Sequence, residues 1–430
     1  MNKIAVYKKL LYILRFIQKN IHSFCKAHKR LIYIFILILI ISCTLDNIKT
    51  AGGRNSIDNS APSNKINSEI KKSFTDDPNK IFINRYNDKD GDEKNKKKRP
   101  ATITAVGDVV LNIEYMGGML YRRTNKYGRK KAMAYPFSKL KDEIIGIGFC
   151  NLEAPITNSD FNYFSDKDEE FYFRSPDGTE DILKYGGFKA VSLANNHIMD
   201  AGEAGMVDTY KNLKKVDIIP IGVGNNIYDA LRPVYINDKG TVVAIYAFST
   251  VIPKSVWAGP DKAGTAGGSG ELLCAAIKKA RRKKADAVFV SIHWGEEAFT
   301  DYPVEEPERE QVELAHKLID AGASCIVGHH SHALGYVERY KDGIIFYSLG
   351  DLIFAGRYTE SHATSIIAQI SLSSLGLESY TLIPVNNNPF EVGYSPKILD
   401  EKNGRGVINR ILRDNKDSKY ADYYKKNSKK

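Results

Sequence analysis

From residue 101 onward, apolar and β-branched residues come in short runs separated by amphipathic stretches, a texture that predicts strands alternating with helices. The runs place strands at 102–106, 147–152, 189–193, 218–221, 242–247, 287–292, 325–327 and 344–347, with one more at 380–385. Between them, residues 203–216 repeat apolar side chains at Met206, Val207, Tyr210, Leu213 and Val216, and residues 310–319 at Val312, Leu314, Ala315, Leu318 and Ile319. Each set forms a stripe on one helical face and predicts a helix lying on a sheet. One large α/β domain over 101–375 is expected, followed by a C-terminal extension, 376–430, with a basic frayed end.

Upstream the pattern is different. Residues 44–100 are rich in Asn, Asp, Lys and Ser, and their densest apolar patch is only 80–85, which predicts a flexible linker. Residues 1–43 contain eight basic residues and no acidic one, and then an unbroken apolar run at 31–41. Eleven residues fall short of the roughly 20 that span a bilayer and fit the apolar region of a signal peptide. Directly after it, Ile40-Ile41-Ser42-Cys43 resembles the lipobox of bacterial lipoproteins, which implies lipidation at Cys43. An uncleaved signal anchor is the alternative. In both readings the basic side stays inside and the rest of the chain is extracytoplasmic, membrane-anchored through its N-terminus.

The leader also alters the charge argument. The chain carries 62 basic and 51 acidic residues, and taking away the eight of the leader leaves 54 against 51. The remainder is nearly balanced, so the net charge gives no support to nucleic-acid binding. Cys150, Cys274 and Cys325 lack any paired metal-ligand spacing, and Cys150 and Cys325 border apolar runs as small buried hydrophobes.

Chemistry is expected where polar residues interrupt the strands: Asp108 after the first, Glu153 after the second, Asn195-Asn196-His197 after the third and His293 after a later one. Gly328-His329-His330-Ser331-His332 adds three imidazoles within four positions. In open α/β sheets, loops at the carboxyl ends of strands converge on one rim, so distant segments share a site. Carboxylates, an amide and imidazoles form a mixed oxygen and nitrogen set suited to manganese, iron or zinc, and a pair of divalent ions is compatible with it. Singly, each residue has a plainer reading: Asp108 and Asn196 as helix caps, His293 as a core histidine, Glu153 as a loop carboxylate. His316, alone on its predicted helix, is expected at the surface or boundary, and Trp294 and Phe173 in the core or a pocket wall.

Gly107-Asp108, Asn151-Leu152-Glu153, Phe173-Arg174-Ser175-Pro176, Ser192-Leu193-Ala194-Asn195-Asn196-His197, His293-Trp294-Gly295, Gly328-His329-His330-Ser331-His332 and Tyr347-Ser348-Leu349-Gly350-Asp351 follow one another in an order that resembles the CapA family of poly-γ-glutamate capsule synthesis proteins. The resemblance implies a calcineurin-like metallophosphoesterase fold: a four-layer sandwich of two mixed sheets flanked by helices. It also implies metal ligands at Asp108, Glu153, Asn196, His293, His330 and His332, with Glu153 as the bridge, and His197 as catalytic acid or oxyanion partner. Arg174 and Asn195 are expected to hold substrate. Three departures accompany it: Val110 stands where the wider metallophosphoesterase pattern has a histidine, for which His329 is a candidate substitute; Val109-Val110-Leu111-Asn112-Ile113 lacks the arginine common shortly after the first Asp; and Asp351 stands where an Asn is common.

Two functions remain open from sequence. One is a metal-dependent hydrolase acting on a phospho- or γ-glutamyl substrate. The other is a non-catalytic component of a capsule assembly machine that grips an anionic polymer, alone or with other capsule synthesis proteins. A nucleotide-binding module is disfavoured, because no glycine loop is followed by Lys-Ser or Lys-Thr.

Overall fold

The computed structural model describes residues 81–83, 98–111, 113–160, 172–297, 304–354 and 363–412. Two large sheets carry the fold, and their strands are numbered here in chain order: β1 Ile81–Ile83, β2 Ala101–Val110, β3 Ile147–Leu152, β4 Phe188–Ser192, β5 Ile219–Ile221, β6 Val234–Asp238, β7 Thr241–Ser249, β8 Ala287–His293, β9 Cys325–His329, β10 Val337–Tyr340, β11 Gly343–Phe346, β12 Asp351–Phe354, β13 Thr364–Ser373, β14 Gly376–Asn386 and β15 Lys397–Ile398. The first sheet runs β1-β6-β7-β8-β9-β11-β10 and the second β15-β14-β13-β2-β3-β4-β5, with β12 also paired to β2. Both are mixed, because parallel cores (β7-β8-β9-β11 and β2-β3-β4-β5) are flanked by antiparallel hairpins.

The longer helices are α1 Ile113–Tyr127, α2 Arg129–Ala134, α3 Glu180–Gly186, α4 Gly202–Lys215, α5 Glu271–Lys283, α6 Arg309–Asp320 and α7 Glu401–Ile411. Three apolar clusters show how the layers stack. Ile103, Phe149, Ala190, Val243, Phe289 and Phe346 meet between the two sheets. Leu120, Ile182, Met206, Val207 and Leu213 join Cys150 and Val191 on the outer face of the second sheet. Leu273, Ile277, Ala315 and Leu318 join Val288, Val290 and Ile326 on the outer face of the first. Successive strand residues thus alternate between interfaces, as a period of two requires when both faces are covered. The result is the expected four-layer α/β sandwich. Phe149 and Phe289 meet edge to face across the seam with ring centroids 5.1 Å apart.

The α4 stripe is the predicted one, with Met206, Val207, Tyr210 and Leu213 buried and Lys214 and Lys215 in the last turn, where cations suit the helix dipole. Glu308 and Gln311 form a capping box that starts α6. Cys150 and Cys325 are buried, as expected, and burial pushes both thiols up.

Two expected boundaries need correction. The segment expected as a linker contributes β1, which pairs in parallel with β6. The break expected after residue 375 falls in the turn of the β13–β14 hairpin, whose strands pair along their length, and Val407, Ile408 and Ile411 of α7 close the core between the sheets. Residues 376–412 therefore belong to the sandwich. The leader at 1–43, including Cys43, and the tail after 412 lie outside the described residues. No helix among the described residues is long and apolar enough to cross a membrane.

Candidate metal centre

The strands β2, β3 and β4 of one sheet and β8 and β9 of the other end at a common rim, and every residue expected to ligate a metal sits there. Asp108 lies inside β2 rather than past it, beyond a register shift after Ala105, and stands opposite Asn151 of β3 and Asp351 of β12. Gly107 makes this possible: a Cβ there would stand 1.7 Å from the Gly350 carbonyl oxygen, which accepts a hydrogen bond from Asp108 N at 3.0 Å. Glu153 directly follows β3, Asn195 to His197 follow β4, and His293 and His329 are the last residues of β8 and β9.

The helix-cap readings of Asp108 and Asn196 do not hold. No helix starts next to Asp108, and the N-cap of α4 is Ala201. Instead the side chains turn toward one another. Asn151 Nδ2 donates to Asp108 Oδ1 at 2.9 Å and to Glu153 Oε2 at 3.3 Å. Asp108 Oδ2 accepts from His330 N at 3.0 Å, and His293 Nε2 faces Asn196 Oδ1 at 2.9 Å and Glu153 Oε1 at 3.4 Å. Asp108, Glu153, Asn196 and His293 are all at most 2% exposed, and His330 and His332 are 8% exposed.

Two groups have donor atoms within 4.8 Å of one another: Glu153, His293 and His330, and Asp108, Glu153 and His332. Glu153 is common to both, the position of a bridging carboxylate. His329 belongs to neither group, although its Nδ1 comes to 2.9 Å from Asp108 Oδ1 without the alignment of a hydrogen bond.

The electrostatics fit a cation. Burial lowers His293 well below its usual value, and burial together with the His332 charge takes His330 down to about 3, so both are neutral imidazoles with lone pairs to give. Burial raises Asp108, but His329 and the other nearby imidazoles outweigh it and hold the carboxyl well below the usual range. Burial would lower His332, yet the Asp351 carboxylate 2.9 Å from its Nδ1 outweighs that and raises it. His329 Nε2 and His330 Nδ1 are buried with no hydrogen-bond partner among the described residues. Such orphans are costly unless something binds them. The backbone is strained at the same loop, with φ of 96° at His330 and 60° at His332. Oxygen and nitrogen donors in this mixture suit manganese, iron or zinc.

His197 is fixed from behind. Its Nδ1 donates to Asp200 Oδ2 at 2.8 Å, the same oxygen accepts from Phe173 N at 2.6 Å, and the Phe173 ring lies 4.3 Å from the imidazole. Asp200 is a functional residue that the sequence reading missed, though its place three residues after His197 was a local signal. Asn151 was quoted only as part of a motif, and it proves to be the amide that ties both carboxylates together. Trp294 is buried in the core and His316 is half-exposed against Glu338, as expected.

The expected substrate contact at Asn195 is corrected. Asn195 Nδ2 donates to Asn151 Oδ1 at 3.0 Å and to the Leu152 carbonyl at 2.8 Å, while its Oδ1 accepts from the amides of His197 and Ile198. An amide makes four such bonds at most, so Asn195 braces the loop and has none to offer a substrate. Arg174 donates from Nη1 to the Ser159 carbonyl at 2.6 Å and stands 3.6 Å from Asp160, which ties it to the 155–160 loop.

The profile of the family described as "Bacterial capsule synthesis protein PGA_cap" matches residues 102–356, from β2 past β12. The chain belongs to this family. Every residue of the rim cluster falls within the part of this PGA_cap chain that matches. It is 31% identical over 341 residues to "Capsule biosynthesis protein CapA" of Bacillus anthracis, covering 78% of each chain. It is 29% identical to "PGA biosynthesis protein CapA" of Bacillus subtilis (strain 168), covering 74% of this chain and 82% of that one. Among solved structures it is similar to the NAD nucleotidase of Haemophilus influenzae, with a TM-score of 0.40 and 14% identity over 77% of this chain and 68% of that one.

Proposed function

We propose that this PGA_cap protein acts outside the cytoplasm in making or exporting an anionic capsule polymer of the poly-γ-glutamate kind, and that its rim cluster is a divalent-metal hydrolase site. The observation that carries the reading is Glu153, buried and common to two donor groups, one completed by His293 and His330 and the other by Asp108 and His332. Manganese, iron or zinc would be held by those residues with Asn196. Bound there, divalent cations supply Lewis-acid polarisation of a phosphoryl or carbonyl oxygen. The chain supplies the rest. Asp200 holds the proton of His197 on Nδ1, so Nε2 is the atom through which this imidazole exchanges a proton with a leaving group. Phe173 and Phe354 pack edge to face beside His197 and His332 and keep water from that side of the pocket. The membrane anchor belongs to the same proposal, with lipid on Cys43 tested by whether palmitate labelling is lost in Cys43→Ala.

One observation favours the second reading, a polymer-gripping component with little or no turnover. Val110 is fully buried against Ala154 and Phe173 where the wider pattern has a histidine, so one donor position is filled by an apolar side chain.

The deciding experiment loads the purified chain with manganese, iron or zinc, measures bound metal, and assays a phosphodiester and a γ-glutamyl anilide. Stoichiometric metal and chelator-sensitive turnover are expected, with His197→Asn losing about 10²–10⁴-fold in turnover at unchanged metal content. A chain that retains no divalent ion would refute the hydrolase reading. Metal without turnover would leave the polymer-gripping reading standing.

A further inference from the structure

The outer face of the second sheet carries a charge pattern that the rim chemistry does not use. Residues 119–141 contain eight basic residues and no acidic one. They lie on α1, on α2 and on the connection to β3. Arg122, Lys126, Lys130 and Lys131 are exposed, and no carboxylate partner is present for any of them among the described residues. Arg123 stacks on the Tyr135 ring at 3.2 Å, and Lys126 lies 5.0 Å from the ring of Tyr127, itself 46% exposed.

On α6 and α7 exposed helical charges are paired. Arg309 pairs with Glu313 on α6, and Arg405 with Glu401 on α7, each at a spacing of four. The basic residues at the end of α5 have a structural account, since they occupy the last turn, where the helix dipole favours them. Arg281 of α5 is further occupied by the Asp286 carbonyl. On α1, Arg122 and Arg123 lie ahead of the last turn, and Arg129 and Lys130 open α2 just after Gly128, where the helix dipole disfavours cations; only Lys126 and Lys131 stand in last turns, and like charges repel along the whole run.

The geometry points to this surface as a second site, a basic track that binds the anionic polymer itself as a chain of closely spaced carboxylates, separate from the metal centre. It rests on the reading of the protein as a capsule-polymer component and not on the hydrolase chemistry. Lys and Arg along the track meet successive carboxylates, and the tyrosines lie against the aliphatic stretches between them, a contact that tolerates any register. A polymer held in this way is presented processively, since no single contact fixes its position. The occupant is the polycarboxylate and not a lipid surface, because α2 is pinned against the fold by Arg129, which donates to the Gly178 carbonyl and pairs with Asp181, and the exposed residues of α2 are all charged, whereas an interfacial helix buries an exposed apolar face.

The test uses the full chain in mild detergent with fluorescein-labelled poly-γ-glutamate, read by anisotropy. Arg122→Glu, Lys126→Glu, Lys130→Glu and Lys131→Glu together are expected to weaken binding at least about tenfold at low salt, and wild-type binding is expected to fall steeply with added salt. A control reverses four exposed charges on α5, Lys278→Glu, Lys279→Glu, Arg282→Glu and Lys283→Glu, and should stay within about twofold of wild type. Matched thermal unfolding and metal content guard against misfolding, and a milder set with Gln at the same four α1–α2 positions replaces the first if it unfolds. Equal losses in both variants, wild-type affinity in the α1–α2 variant, or a wild-type chain that binds anionic phospholipid vesicles but not the polymer would each overturn the proposal. Metal content and turnover in the same samples report separately on the rim chemistry.

Discussion

The two sheets bring different chemistry to their shared rim. The second sheet delivers Asp108, Asn151, Glu153 and Asn196, all carboxylates and amides, whereas the first delivers His293, His329, His330 and His332, all imidazoles. Neither half is a site alone. Oxygen donors from one sheet and nitrogen donors from the other meet only because the seam is closed, and the bonds that join them, His330 N to Asp108 and His293 to Asn196, cross it. The lesson is that the apolar packing between the sheets sets the geometry of the chemistry, so packing and ligation are to be perturbed separately.

The largest effect is expected where both donor groups depend on one residue. Glu153→Gln keeps the shape and removes the shared charge, so metal affinity should fall at both groups by well over the roughly 10–100-fold typical of a supporting residue. Metal titration checks this. Loss at one group only, with the other unchanged, would break the idea that Glu153 is shared. A smaller loss, of stability and not of ligands, is expected on opening the seam. Phe149 is fully buried against Phe289 between the sheets, and Phe149→Ala should cost about 3–5 kcal/mol in denaturant unfolding. Its residual folded fraction should bind metal more weakly although no donor has changed; wild-type affinity there would mean that the rim holds its shape without the seam.

Sequence legibility follows the same division between local and non-local causes. The β3 strand was readable to the residue, and α4 and α6 to within one, because a buried stripe is written locally. Strand β1 has only three residues; the apolar patch at 80–85 that contains it is too short to predict a strand without the pairing to β6, some 150 residues away. Helix α5 was missed because only Leu273, Ile277 and Ala280 mark its buried face amid lysines and alanines. At the site, the kinds of donor were legible, since Asp, Glu, Asn and His stood at strand ends. The division of labour among them was not. Whether Asn195 touches a substrate or braces a loop depends on which carbonyls and amides lie beside it, and that is decided by β3 and β4 lying side by side.

The mildest prediction concerns the departure at Asp351, which joins the two halves from the side. Its Oδ1 accepts from His332 Nδ1 at 2.9 Å, and its strand pairs with the Asp108 position, so a carboxylate from β12 orients an imidazole presented by the first sheet toward a carboxylate of the second. A histidine ligand held in this way is more basic and keeps one tautomer. Asp351→Asn retains an acceptor at the same place and removes the charge, so metal affinity at the Asp108, Glu153 and His332 group should fall about tenfold, and Asp351→Ala about a hundredfold, as for other supporting partners of ligating histidines. The Glu153, His293 and His330 group should keep its affinity in both. Competition against a chromophoric chelator resolves the two. If the alanine variant binds as tightly as wild type, His332 is oriented by its own strained backbone and the loop after β9 alone, and the two sheets meet without help from β12.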